Sequence, residues 1–174
     1  MKKLLLIAAV AVFGLSNMNA QETKFGVKAG ADFASVKVKV SGFSVSTSET
    51  GFYVGGFAEV GVSDTFTFQP ELLYISVSTG TLNFDQISIP LMAKFGVSEK
   101  IDVLAGPALG FLLDSADGQK SFNYGIEAGA AYNITEELFV EARYNIGLAN
   151  LIENAPSGVS TKISGLFVGL GYRF

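Results

Sequence analysis

The chain has 174 residues, with no Cys, no His and a formal charge of −4, so disulfides, Cys/His metal centres and His-dependent catalytic triads are excluded, and the acidic balance argues against a nucleic-acid partner. Mean hydropathy is high at +0.40 and only 16% of residues are charged, yet no apolar run beyond the N-terminal segment reaches the ~20 residues of a spanning helix. An apolar chain without a membrane helix points to a closed β-barrel, the other structure that satisfies its own backbone in lipid.

Residues 1–20 read as a secretory signal: Lys2 and Lys3, an apolar run from Leu4 to Leu15, then Ser16 to Ala20. Cleavage is expected after Ala20, although Met18 is large for the minus-three position. Losing Lys2 and Lys3 takes the charge from −4 to −6. No Cys stands near the cleavage site, so no lipoprotein anchor is expected, and residues 21–174 suit one domain.

The first strand is expected over Lys24–Ala34, with Phe25, Val27, Ala29, Ala31 and Phe33 on one face and Lys28, Gly30 and Asp32 on the other. Residues 37–50, rich in Ser and Thr, read as a long exposed loop, with strand extensions above a membrane as the alternative. A lysine in place of Gly42 within it is expected to cost almost nothing. The second strand spans Gly51–Val62 and alternates Phe52, Val54 and Ala58 against Tyr53, Phe57 and Glu59. The third, Phe66–Val77, sets Phe68, Pro70, Leu72 and Tyr74 against Gln69, Glu71 and Leu73, and Pro70 suggests a bulge. After a shorter loop over 79–85, the fourth runs from Gln86 to Val97 with Lys94 on its non-apolar face. The fifth, Ile101–Leu113, is apolar on both faces and holds Gly106, Pro107 and Gly110. A polar loop, 114–120, has Asp117-Gly118 at its tip. The sixth strand, Ser121–Ile134, and the seventh, Leu138–Leu148, carry Glu127, Glu141 and Arg143 opposite their apolar faces; a last loop covers 150–161.

The last strand, Lys162–Phe174, alternates most clearly. Leu166, Val168, Leu170, Tyr172 and Phe174 share one face, and glycines crowd the other beside Phe167 and Arg173. Bulk on one face and glycine on the other suits a narrow barrel with lipid outside. Three short turns repeat one pattern of aliphatic, Ser or Thr, then acid: Val62-Ser63-Asp64, Val97-Ser98-Glu99 and Ile134-Thr135-Glu136. Spacings of 35 and 37 residues fall in the range of solenoids and propellers. Each interval here, however, holds two ten-residue strands, one short turn and one longer loop. Three short turns and four longer loops make an eight-stranded antiparallel up-and-down transmembrane β-barrel with both termini on one side.

The closing Tyr172 and Phe174 resemble the end of bacterial outer-membrane barrels, in which the last strand is an assembly signal read by the barrel-assembly machinery. More widely, the chain resembles the small PorT-like outer-membrane barrels of Bacteroidetes. The residues that carry this are Gln-Pro-Glu-Leu-Leu-Tyr at 69–74, Ile-Ser-Ile-Pro-Leu-Met at 87–92, Ala105-Gly106-Pro107, Val-Glu-Ala-Arg-Tyr at 140–144 and the Gly-Tyr-Arg-Phe end. The resemblance implies export to the outer membrane and contact with its lipid. It leaves the role open between binding through four extracellular loops, service as an accessory subunit of a secretion or envelope-assembly system, and a narrow channel. With nothing after Phe174, no peptidoglycan-binding second domain is expected.

Candidate chemistry gathers on the non-lipid face: Lys28, Asp32, Glu59, Glu71, Lys94, Glu127, Glu141 and Arg143, with Arg173 beside them. An eight-stranded interior is just wide enough for side chains. Opposite charges are therefore expected to pair across it as a plug; a polar path or a carboxylate pair in acid–base work is the alternative. Tyr53, Phe57 and Phe167 also point inward, to fill space or to line a ligand pocket. Asp114, Asp117 and Glu153 lack metal-loop spacing and read as solvated loop charge. No enzymatic constellation is found, and no cofactor or metal is expected.

Overall fold

The computed structural model describes residues 23–79, 82–113, 119–153 and 155–174. The expected signal segment and the Asp117-Gly118 loop tip lie outside the described residues. The eight strands are β1 (Thr23–Val40), β2 (Phe43–Gly61), β3 (Phe66–Thr79), β4 (Leu82–Gly96), β5 (Ile101–Leu112), β6 (Phe122–Asn133), β7 (Leu138–Gly147) and β8 (Val159–Arg173). Each pairs antiparallel with the next, and β8 closes on β1 with Ala31 opposite Val168. Closure pairs both edges of the strands around the barrel wall, as a lipid solvent demands, and the outer ends of β2 and β8 run on beyond their second partner.

Alternation sorts every strand into a lumen face and an outer face. The fifth strand is resolved the same way: Asp102, Leu104, Ala108 and Leu112 are buried, whereas Ile101, Val103 and Ala105 are exposed. Its outer side chains look apolar because they face lipid, and its inner ones because they fill the lumen. Aromatic rings collect at both ends of the outer face. Phe66 stacks on Phe95 and Tyr172 lies against Phe174 near the short turns. Phe52 meets Tyr74, and Phe122 meets Phe111 and Tyr124, near the longer loops. Two aromatic girdles flanking an aliphatic band are the outer surface of a membrane barrel.

The three repeated turns share one construction. Ser63, Ser98 and Thr135 each accept, on the side-chain oxygen, a hydrogen bond from the backbone N–H three residues on, at 3.2, 3.0 and 2.9 Å. Each turn also closes with a backbone bond from the aliphatic residue, such as Val97 N–H to the Ile101 carbonyl at 2.9 Å. A hydroxyl at that position reproduces the geometry at all three sites.

Three expectations change. β4 begins at Leu82, opposite Thr79, so residues 82–85 are strand and not loop. Pro70 does not make a bulge. Pairing of β2 with β3 is interrupted between Phe57↔Glu71 and Val60↔Phe68 and resumes in the same register. Similar gaps stand beside Pro90 and Pro107. Each proline leaves out a ladder hydrogen bond without adding a residue. Residues 37–50 form the strand extensions, joined as a hairpin, and not a long loop. Here β1 and β2 continue in register to Val40↔Phe43, joined by Ser41 (φ 48°) and Gly42 (φ 92°). Two positive φ values in a two-residue hairpin match the strand twist. The β-branched Val36, Val38, Val40 and Val45 supply the extended preference that the Ser/Thr content masks. Gly42 is consequently not indifferent to substitution, because its backbone conformation disfavours any residue with a Cβ.

Candidate functional site

The lumen is built in layers. Nearest the short turns, Lys94 Nζ lies 2.6 Å from Glu59 Oε1 and 3.3 Å from Asp102 Oδ2. Arg173 Nε lies 2.9 Å from the same Glu59 oxygen, and its Nη1 donates to the Glu136 carbonyl at 3.1 Å. Asn133 Nδ2 donates to Asp102 at 2.9 Å. Two cations thus meet two carboxylates.

Above this cluster is an apolar layer of Phe57, Met92, Leu104, Ala131 and Phe139. The Phe57 and Phe139 rings meet edge to face with centroids 5.7 Å apart. The Arg173 guanidinium lies 4.3 Å from the Phe139 ring centre and Lys28 Nζ lies 5.7 Å from that of Phe57, so each ring carries a cation on one side. Space for the rings comes from the glycine-rich inner face. A Cβ on Gly26 would strike the Phe57 ring, and one on Gly171 the Phe139 ring.

The central layer joins five strands. Lys28 Nζ lies 2.7 Å from Glu71 Oε2 and 3.1 Å from Glu141 Oε1. Arg143 Nη1 lies 3.0 Å from Glu71 and 2.9 Å from Glu127, and its Nη2 lies 3.3 Å from Glu141. The Glu127 contact is an ion pair off the N–H axis, for Glu127 Oε1 accepts no hydrogen bond among the described residues. Tyr53 OH donates to Glu141 at 3.1 Å and Gln69 Nε2 donates to Glu71 at 2.8 Å. The side chains of Lys28, Glu71, Glu141 and Arg143 have no exposed surface. Such charges persist only when paired and hydrogen-bonded.

Of the eight residues singled out from the sequence, seven join these two clusters. Asp32 does not: it is buried higher in the barrel, and its Oδ1 has no hydrogen-bond partner among the described residues. Arg173, placed beside the set, enters it in full. Sequence reasoning missed Asp102, although its inward parity in Ile101–Leu112 was available as a signal once the fifth strand is read in strict alternation. Tyr53 and Phe167 pack edge to face at 5.5 Å above the central layer. Beyond them a cavity of about 70 Å³ extends toward the longer loops. At the closing end, Phe174 projects outward and its N–H donates to the Phe25 carbonyl at 2.9 Å.

A family model described as the outer membrane protein beta-barrel domain matches residues 5–174. The chain belongs to that family. Among solved structures it is similar in fold to Ail, the attachment invasion locus protein of Yersinia pestis, with 18% identity, a TM-score of 0.57, and coverage of 88% of this chain and 100% of Ail. It is likewise similar to Neisserial surface protein A, with 19% identity, a TM-score of 0.54, and coverage of 88% and 100%. No curated protein matches it in sequence. The chain is therefore an integral barrel of the cell outer membrane. In such barrels the short turns face the periplasm and the longer loops the exterior; on that rule the Lys94–Glu59 cluster lies on the periplasmic side and the cavity on the outer side.

Proposed function

We propose that the protein is a non-enzymatic outer-membrane barrel, formed by residues 21–174 after removal of a signal over 1–20, that binds an extracellular ligand or partner through its outer loops. The observation that carries this reading is the arm made by the outer ends of β1, β2 and β8. Register pairs Val38 with Val45 and Val40 with Phe43, and Val159 with Val40, so these side chains share one face. Phe43 is 83% exposed and Val45 68%. The other face carries Lys37 opposite Lys162, with Lys39 opposite Ser44. A contiguous exposed apolar patch with a polar reverse is the mark of an interaction surface. A photo-crosslinking residue at position 43, in intact outer membranes, should give a discrete adduct that the same residue at the lipid-facing position 126 does not. Lipid adducts alone from both positions would reject a binding role for the arm.

The motifs at 69–74, 87–92 and 140–144 support a second reading within the PorT-like group, as an accessory subunit of a secretion or envelope-assembly system. A stoichiometric protein adduct from position 43 would favour it. In either case the layered ion clusters act as a plug rather than a path. Purified protein in planar bilayers should show no steady conductance; an ion-selective current altered by Glu141→Gln would establish a channel instead. Tyr172 and Phe174 act as the signal to the barrel-assembly machinery.

A further inference from the structure

We propose that the outer half of the lumen binds a small organic cation, a primary ammonium on a short alkyl chain. This goes beyond binding at the arm, since it uses the barrel interior.

Charge is the first support. The buried charged side chains are Lys28, Lys94, Arg143 and Arg173 against Asp32, Glu59, Glu71, Asp102, Glu127 and Glu141, an excess of two carboxylates among the described residues. The periplasmic cluster is balanced. The central cluster sets Lys28 and Arg143 against Glu71, Glu127 and Glu141, and so holds one carboxylate too many. Asp32, outside both clusters, is the other. Glu127 and Asp32 both line the outer cavity, and no Lys or Arg does. The surplus negative charge therefore borders this cavity.

Asp32 is the second support. It is 4% exposed, and its Oδ1 has no hydrogen-bond partner among the described residues. A Cβ on Gly165 would lie 2.6 Å from that oxygen, so the glycine makes room for the carboxylate against the wall. A buried carboxylate oxygen without a donor is costly, and an ammonium supplies both charge and N–H.

The cavity's shape and lining choose the class of cation. No group of three or more Asp or Glu among the described residues is placed to hold a metal. The walls are mostly apolar, from Ile75, Phe84, Leu112 and Phe167. A volume of about 70 Å³ is far below the ~300 Å³ of a drug-sized pocket, so only a small ion on a short chain fits. Apolar walls take the alkyl chain, and Asp32 and Glu127 take the head.

The test is a titration of the folded barrel in nanodiscs with n-butylammonium chloride, at constant ionic strength, followed by NMR of methyl groups at Ile75, Val77 and Leu112. Saturable shifts are expected in the wild type. Asp32→Asn should weaken binding at least tenfold, and Ala108→Leu, which fills the cavity and leaves the charge alone, should abolish it. Mobility of unheated samples on SDS gels checks that each variant is folded; should Asp32→Asn not fold, Ala108→Leu still decides. Isosteric n-butanol that binds as tightly, with no effect of Asp32→Asn, would show an apolar cavity only and overturn the proposal. So would Ca²⁺ producing the same shifts, or no saturable shift with butylammonium at all.

Discussion

Arg143→Ala is the most demanding test of the lumen. The guanidinium is fully buried and lies within 3.3 Å of Glu71, Glu127 and Glu141. Truncation leaves three carboxylates facing Lys28 alone, of which Lys28 reaches only Glu71 and Glu141. Breaking a dry ion pair by removing one partner costs about 3–5 kcal/mol, most of it the penalty for the stranded charge. Glu127 is that stranded group, since its remaining contact is the Asn145 amide at 3.4 Å. Adding Glu127→Gln to Arg143→Ala should therefore recover part of the loss, with a coupling of about 1–3 kcal/mol. Arg143→Lys should fall between, because one ammonium does not reproduce a fork reaching three carboxylates. The chain has no Trp, so urea unfolding in lipid vesicles is best followed by tyrosine fluorescence and by gel mobility of unheated samples. A loss below about 1 kcal/mol, the range of exposed pairs, would mean that water reaches the cluster and would refute the dry plug.

Val168 faces outward midway along β8, opposite Ala31 and Ala142, so Val168→Lys should cost about 2–4 kcal/mol in the same titration. Ser44→Lys on the polar face of the arm should change stability by less than about 0.5 kcal/mol, and equal costs at the two sites would reject the register. Deleting Phe174 should lower the yield of barrel in the outer membrane more than it lowers the stability of barrel already folded; an unchanged yield would remove the terminal aromatic from assembly.

Most of the strand architecture was legible because one side of each strand meets lipid. Alternation from Leu166 to Phe174 assigns inside and outside without any knowledge of neighbours, and the repeated Ser/Thr turns mark the short connections. The hairpin at 37–50 was less legible. Above the membrane neither face must be apolar throughout, so period-two contrast fades and Ser/Thr content imitates a loop. Charge partners were legible only as a set. Lys28 and Glu141 are 113 positions apart in sequence and meet because closure sets β1 and β7 on either side of β8, with stagger bringing the two side chains to one height. Alternation states that both point inward, not at which level. Asp32 shares the inward face of β1 with Lys28 but stands two inward positions higher, above both ion clusters.

The charges also decide which face is inside. In water a barrel buries apolar side chains because the solvent rejects them. In lipid that preference vanishes, since Leu is as well solvated outside as in. What forces a face inward is polarity the lipid will not accept, together with glycine that a narrow lumen can hold. A one-residue slip of β7 against β6 and β8 would turn Glu141 and Arg143 outward and bring Val140, Ala142 and Tyr144 in. Exposing Arg143 at mid-membrane costs about 2–4 kcal/mol on its own, before the carboxylates it leaves behind are counted. Replacing the ion layers by hydrocarbon of equal volume would keep the lumen filled and remove that penalty, leaving the slipped barrel nearly as favourable as the native one. On this account the buried ion pairs contribute less to how stable the barrel is than to which of two mirror assignments of its faces it adopts.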